Sequence, residues 1–279
     1  MTNEELSALV AAQVQRHFAK SAAGDVPTAC ADAFPFSGMN PTAAPFALLA
    51  PAIEHSLLNP DITQEKVLAG CADAVRYGFA NVCVTPWLVT VATQHVAGSS
   101  VLVSAPVGFP HGAASLAAKC AEIRFCIQSG ARELDLSLNI VAAKSGQWDV
   151  VYRELCEMLN VAAGRAVCKP IYEQGLYSEE EKRRVLEIIE RSRAPYLKIS
   201  NALTGKKAEA VDVRFVRSVV GSRIGIKIDG GISTAQKVQK LQAAGAQRFG
   251  CSASVAIVMG KLLHNIKTRQ SDLCRSAES

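Results

Sequence analysis

The chain has 279 residues, 49% of them apolar and 20% charged, and 30 Lys and Arg against 25 Asp and Glu give a formal net charge of +5. That apolar share excludes a disordered chain, and no run approaches the ~18–20 uninterrupted apolar residues of a membrane helix. The basic residues are scattered rather than gathered into a stripe, which argues against nucleic acid as a partner.

Residues 3–19 carry Leu6, Leu9, Val10, Val14 and Phe18 at three- and four-residue spacing, which predicts an amphipathic helix. A stretch rich in Ala, Ser, Gly and Pro follows, from Ala19 to Pro51, with prolines at 27, 35, 41, 45 and 51. So long a run without periodicity reads as an arm. The chain therefore divides into an N-terminal helix and arm (1–47), a main domain (48–270) and a tail (271–279). The first residues, MTNEELSALV, are acidic and lack a basic-then-apolar block, so no secretory signal is expected.

From Leu48 onward, short apolar or β-branched runs alternate with longer helical patterns. Strands are predicted near Ile53, Cys83, Ser104, Asp135, Pro170, Lys198, Lys227 and Gly250. Helices are predicted over 64–77, 114–129, 147–163, 178–192, 209–219, 234–244 and 254–267. Eight βα units in ~220 residues predict an α/β fold, a closed (β/α)8 TIM barrel with an extra N-terminal helix and arm. The rival, a doubly wound sheet, usually carries a GxGxxG turn after its first strand, and none is present.

Alternation along the strands points to where the chemistry lies. In Glu133-Leu134-Asp135-Leu136-Ser137-Leu138-Asn139 the polar residues share one face and the leucines the other. The leucines must meet the helices, so the polar face points into the barrel, where a purely structural core would carry Val, Ile or Leu. The same alternation puts Lys169, Ile171 and Glu173 on one face of strand five, Tyr196, Lys198 and Ser200 on strand six, and Gly225, Lys227 and Asp229 on strand seven. Three neighbouring strands thus offer lysines to one interior. One reading is a structural network neutralised by Glu133, Asp135 and Glu173. The other is an imine-forming site, in which a second ammonium about 4.8 Å away and partial burial lower the pKa of the attacking amine. Asp135, across the lumen, would relay a proton through water.

The nine cysteines include no CxxC pair and sit mostly in apolar runs, as at Cys83, Cys156 and Cys168. Buried free thiols in a reducing, cytoplasmic setting are expected. The five histidines at 17, 55, 95, 111 and 264 show no ligand spacing, so no metal is expected, and no cofactor either.

These residues also carry a family likeness. IEHSLLNP (53–60), NVCVTPWLV (81–89), VGFPHG (107–112), ELDLSLNI (133–140), KPIYEQGLYSEEE (169–181), YLKIS (196–200), GIKIDGGIST (225–234) and GAQRFGCSAS (245–254) occur in an order and spacing that resemble deoxyribose-phosphate aldolase. That family interconverts 2-deoxy-D-ribose 5-phosphate with D-glyceraldehyde 3-phosphate and acetaldehyde through a Schiff base. The resemblance implies Lys198 as the Schiff-base lysine, Lys227 as the neighbour that tunes it and Asp135 as the relay. It implies phosphate contacts from Gly205, Lys206, Gly230, Gly231, Gly250 and Ser252, with Glu54, Cys83, Lys169, Glu173 and Ser200 in support. A homodimer and a small-molecule aldehyde or sugar phosphate as substrate come with it, with neither membrane nor nucleic acid involved.

Several positions depart from the family pattern. Glu54 stands for a first-strand aspartate, and Lys198 is followed by Ile199, Ser200, Asn201 and Ala202, with Thr204-Gly205-Lys206 only later. Ile228 and Asp229 replace small neutral residues before the Gly230-Gly231 pair, Ser233 stands where a basic residue is common, and Ala253 follows Ser252. No tyrosine closes the chain. Asp229, about 6.6 Å beyond Lys227 on the same face, is expected to repel phosphate and to raise the pKa of Lys227. Three readings follow: a deoxyribose-phosphate aldolase with a modified pocket, an aldolase for another aldehyde, or a catalytically silent barrel that serves as a binding module for a protein partner.

Overall fold

The computed structural model describes residues 48–259. The helix expected over 3–19, the arm up to residue 47, the far part of the helix expected over 254–267 and the tail from 271 lie outside the described residues. The arm gives way before Pro51: Leu49 and Ala50 are buried in the core, and Ala50–Ala52 forms a 3₁₀ turn that feeds the first strand.

Eight parallel strands close into a barrel in sequence order. They are β1 (Ile53–Leu57), β2 (Asn81–Val84), β3 (Leu102–Val107), β4 (Glu133–Ser137), β5 (Val167–Glu173), β6 (Tyr196–Ser200), β7 (Gly225–Asp229) and β8 (Arg248–Cys251). Closure is made by β8 against β1, with Ile53 opposite Phe249 and Glu54 opposite Gly250. The expected strand centres all fall within these strands.

The surrounding helices are α1 (Gln64–Tyr77), α2 (Val89–Val96), α3 (Leu116–Gln128), α4 (Ile140–Lys144), α5 (Trp148–Ala162), α6 (Glu179–Arg191), α7 (Ala210–Val220) and α8 (Ala235–Ala243). A further helical segment covers 254–259. Their starts are written locally. Thr63, Ser115 and Thr234 each accept a hydrogen bond from the backbone three residues on, and Ser178 and Glu181 form a reciprocal capping box.

Two helices have no counterpart in the periodicity reading. Helix α2 reads VTVATQHV, rich in β-branched residues that lose side-chain freedom in a helix. It forms because Val89, Ala92 and Val96 fall on one face and are buried against the barrel. Helix α4 is only a short turn capped by Asn139, too brief to show a period.

Alternation along the strands separates two interiors. Leu134, Leu136, Leu197, Ile199, Ile226, Ile228 and Phe249 point outward and are fully buried under the helices, where Val185, Leu186 and Ile189 of α6 join the same apolar layer. Most of the intervening residues are polar and fill the lumen. Ile199 and Ile228, which depart from the family pattern, therefore serve the helix-facing layer rather than the site.

The β3–α3 connection is held by one glycine. Gly112 has φ +63° and donates its N–H to the Gly108 carbonyl at 2.8 Å, and an added Cβ would lie 1.9 Å from the Leu138 carbonyl oxygen. Backbone cannot yield there as a side-chain tip can. Gly112→Ala is expected to cost at least ~2 kcal/mol, a fall of ~4–8 °C in Tm by scanning calorimetry. An unchanged Tm would contradict this packing.

Candidate active site

The lumen holds two storeys of charge. Nearer the N-terminal ends of the strands, Glu133 accepts hydrogen bonds from Lys169, from Asn81 at 2.8 Å and from Arg248 at 3.1 Å, and Ser104 donates to Asn81 at 3.4 Å. These groups satisfy one another, as a buried ionic network must. Of the three carboxylates expected to neutralise the lysines, Glu133 does so here and Asp135 in the storey above, whereas Glu173 accepts from Ser200. Asn81 and Arg248 were not singled out from the sequence, although alternation in NVCV and RFGC sets them on the lumen face beside Cys83 and Gly250.

The second storey sits two residues further along the strands. Lys198 on β6 lies directly opposite Lys227 on β7, and Ile171 of β5 lies opposite Lys198 on its other side. The Oδ2 atom of Asp135 on β4 accepts from both lysines, at 3.0 Å from Lys198 and 2.7 Å from Lys227. Glu54 on β1 accepts from Lys227 at 2.6 Å and pairs with Lys169 at 2.9 Å, which ties the two storeys together. All of these side chains are almost completely buried. One sequence-derived set, Lys198, Lys227, Asp135, Glu54 and Lys169, is therefore a single connected cluster.

The electrostatics correct an expectation. Burial and the Lys227 ammonium were to depress Lys198, yet it stands above the ordinary lysine value; Lys227 stands above it too, as expected, though Asp229 is not the main cause. Burial pushes each ammonium down, but carboxylates outweigh it: Asp135 and Asp229 for Lys198, and Asp135 and Glu54 for Lys227. Burial likewise raises the carboxyl of Asp135, and Lys198, Lys227 and Lys169 together hold it well below the usual range. The sequence placed the two cations side by side but could not show an aspartate oxygen seated between them. The resting site thus stores both lysines as ammoniums.

Asp229 brings a second correction. Its Oδ2 lies 2.7 Å from Lys198, not beyond Lys227, so its chief partner is the lysine of the neighbouring strand. With a side chain 20% exposed, Asp229 lies at the mouth, and its carboxyl carbon is 3.0 Å from where a Cβ on Gly250 would stand. Glycine at 250 is what lets the carboxylate lie there.

The remaining supporting residues are near but not all linked to the lysines. Ser200 donates to Glu173 at 2.6 Å, a buried pair at the C-terminal ends of β5 and β6. Cys83 is fully buried in the lumen, and burial pushes its thiol up to about 11, so it stays protonated and inert. Phe109 was not anticipated; its ring centre lies 5.8 Å from Lys198 Nζ, in cation–π range. It also lines a cavity of about 380 Å³ with Gly108, His111, Lys119 and Glu122, a lining that includes none of the clustered lysines or their carboxylates.

The residues expected to hold phosphate all sit at the C-terminal ends of β6, β7 and β8. Gly205 and Lys206 are exposed on the β6–α7 loop, Gly230 and Gly231 follow β7 directly, and Ser252 is exposed after β8. Gly231 gives room to a residue not singled out earlier: an added Cβ would meet Lys207 Cγ at 2.6 Å. The stem of Lys207 thus packs on Gly231, while the space at Gly230 is open. Among the described residues no group of His, Cys, Asp and Glu is placed to hold a metal ion, and no helix is long and apolar enough to cross a membrane.

The ion pairs of Glu54 fix a pH dependence. Its burial favours the neutral acid, but Lys169 and Lys227 prevail and hold its pKa at about 2, against 4.5 for a free side chain. A depressed carboxylate stabilises the fold above its unfolded pKa, and that contribution disappears as pH falls through the folded one. Glu54→Gln should lower stability at pH 7 by ~3 kcal/mol, because it takes from two buried ammoniums a carboxylate they share, leaving Asp135 and Glu133 to balance them. Urea unfolding should show the deficit shrinking between pH 4.5 and about 2. A pH-independent deficit would mean that Glu54 acts through packing alone.

No family model matches the chain. Curated relatives do. The deoxyribose-phosphate aldolase of Listeria monocytogenes serotype 4a is 39% identical over 213 residues, 76% of this chain and 96% of that protein. The deoxyribose-phosphate aldolase of Bacillus cereus is 37% identical over 211 residues, 76% of this chain and 95% of that protein. Among solved structures, the tetrameric deoxyribose phosphate aldolase of Aeropyrum pernix superposes with a TM-score of 0.72 at 28% identity, covering 78% of this chain and 93% of that one. An aldolase named QR15 gives 0.73 at 28% identity, covering 78% of this chain and 97% of that one. A closed barrel whose buried lysines share one aspartate, matched over nearly the full length of these relatives, makes this chain an aldolase, a carbon–carbon lyase of the deoxyribose-phosphate aldolase family.

Proposed function

We propose that the protein cleaves 2-deoxy-D-ribose 5-phosphate reversibly to D-glyceraldehyde 3-phosphate and acetaldehyde through a Schiff base on Lys198. The observation that carries this reading is the Asp135 oxygen held between Lys198 and Lys227. It provides a nucleophilic nitrogen, a second cation and a proton-accepting oxygen within one hydrogen-bonded unit, dry enough for each to act strongly. The relatives named above support the same reaction.

In this reading Lys198, once deprotonated, adds to the aldehyde carbon of the open-chain sugar, and loss of water leaves an iminium. The iminium draws the electron pair of the C2–C3 bond, the C3 hydroxyl gives up its proton, and glyceraldehyde 3-phosphate departs. Asp135 moves protons to and from the enamine that remains, with Lys227 holding it ionised and oriented. Protonation of the enamine and hydrolysis release acetaldehyde and free Lys198. Gly230, Gly231 and Gly205, with Lys206 and Lys207, would receive the phosphate at the mouth, where barrel enzymes commonly bind it. The silent-barrel reading has the weaker support, because the connected cluster is complete.

Two finer properties go with this reading. Buried free thiols at Cys71, Cys126 and Cys168 suit a reducing compartment, which supports a cytoplasmic location. The family resemblance supports self-association as a homodimer, which sedimentation will measure.

Cleavage of 2-deoxyribose 5-phosphate, followed by coupling glyceraldehyde 3-phosphate to an NADH-consuming reduction, tests the proposal. Lys198→Ala should abolish turnover, and Asp135→Asn should lower kcat by ~10²-fold or more with a smaller change in KM. Turnover that survives Lys198→Ala would place the nucleophile elsewhere, and its absence from the unaltered protein would refute this substrate.

A further inference from the structure

We infer that Asp229 is a second proton carrier of this site, taking the proton that Lys198 must lose and returning it to the oxygen that leaves as water. The inference rests on Lys198 being the imine-forming lysine. Asp135 is fully buried and already engaged by Lys227 as well as by Lys198. Asp229 touches the same nitrogen from the mouth, at 2.7 Å, and is the member of the pair that reaches solvent. An incoming carbonyl approaches Lys198 from that side, so the carboxylate that meets its oxygen is Asp229.

The step balances as follows. The Lys198 ammonium gives one proton to the Asp229 carboxylate. The free amine adds to the carbonyl carbon, forming the C–N bond while the C=O π pair moves to oxygen, and a proton passes from nitrogen to that oxygen. The Asp229 carboxylic acid then protonates the hydroxyl, the C–O bond breaks with release of water, and the nitrogen lone pair closes the C=N bond. Ammonium and aldehyde have become iminium and water, and Asp229 is a carboxylate again. The product iminium keeps a positive charge beside that carboxylate, which favours it over the neutral carbinolamine.

The surroundings fit a carrier better than a fixed structural pair. Asp229 packs against Gly250, whose missing side chain leaves its carboxyl group room. The charged and titratable groups about Lys198 are Asp135 from β4, Lys227 from β7 and Cys83 from β2, in addition to Asp229. Of these, Cys83 stays a thiol and Lys227 an ammonium, so neither accepts the proton. A neutral residue at position 229 would leave Asp135 alone to do so, deep in the lumen.

The test follows imine chemistry without any phosphate. 2,4-Pentanedione condenses with an unprotonated lysine to a vinylogous amide that absorbs in the near ultraviolet, and its rate of formation is measured against pH. The unaltered protein should form it and Lys198→Ala should not; failure of this pair refutes the Lys198 reading itself. In Asp229→Ala, loss of a carboxylate should move the rising limb of the profile to lower pH, while the plateau rate falls by ~10²-fold. Acetate should restore part of the plateau in Asp229→Ala, and Asp229→Asn should be slow without rescue. An Asp229→Ala plateau equal to or above that of the unaltered protein would overturn the inference, because Asp229 would then be only a counter-ion that holds Lys198 charged. Loss of the plateau without acetate rescue would overturn it as well.

Discussion

One oxygen atom organises this molecule. Oδ2 of Asp135 accepts from Lys198 and Lys227 together, and each lysine is then secured by a further carboxylate, Asp229 or Glu54. Two ammoniums on adjacent strands would otherwise repel each other in a dry lumen. The barrel can close around them because β1, β4 and β7 bring carboxylates to the same level. Everything outward of that level, the leucines and isoleucines under the helices, is ordinary packing that holds these strands in register.

The arrangement has a kinetic consequence. In the proposed mechanism Lys198 must shed a proton before it can add to a carbonyl, because the carboxylates around it favour its ammonium form. Activation by a lowered lysine pKa, the usual expectation for an imine-forming amine, needs carboxylates to be distant or neutral. Here they are close and ionised. The proton-carrying role inferred for Asp229 therefore falls at the exposed end of the cluster, where it meets Lys198.

Much of this was legible in the sequence, and the limits are physical. Period-two alternation in ELDLS, YLKIS and GIKID assigned the lumen faces of β4, β6 and β7, and with them Lys198, Lys227 and Asp135. The helices expected from 178 and from 234 do begin there, at the caps Ser178 and Thr234. What alternation cannot give is which partner each charge finds across the lumen. That depends on strand tilt and stagger, which is why the influence of Asp229 on Lys227 was foreseen but not its direct pairing with Lys198. Helix α2 escaped for another reason: its β-branched residues argue locally for a strand, and only burial of Val89, Ala92 and Val96 decides for helix. Lys207 and Phe109 lie on loops, where no periodicity exists to reveal them.

The proposed chemistry requires Lys198 Nζ to be the nucleophile. Reduction of the protein with borohydride in the presence of acetaldehyde, followed by peptide mapping by mass spectrometry, tests that directly. The predicted result is one ethyl group on the peptide carrying Lys198, with Lys169 and Lys227 unmodified. An adduct on Lys227 or Lys169, or none on any lumen lysine, would contradict it.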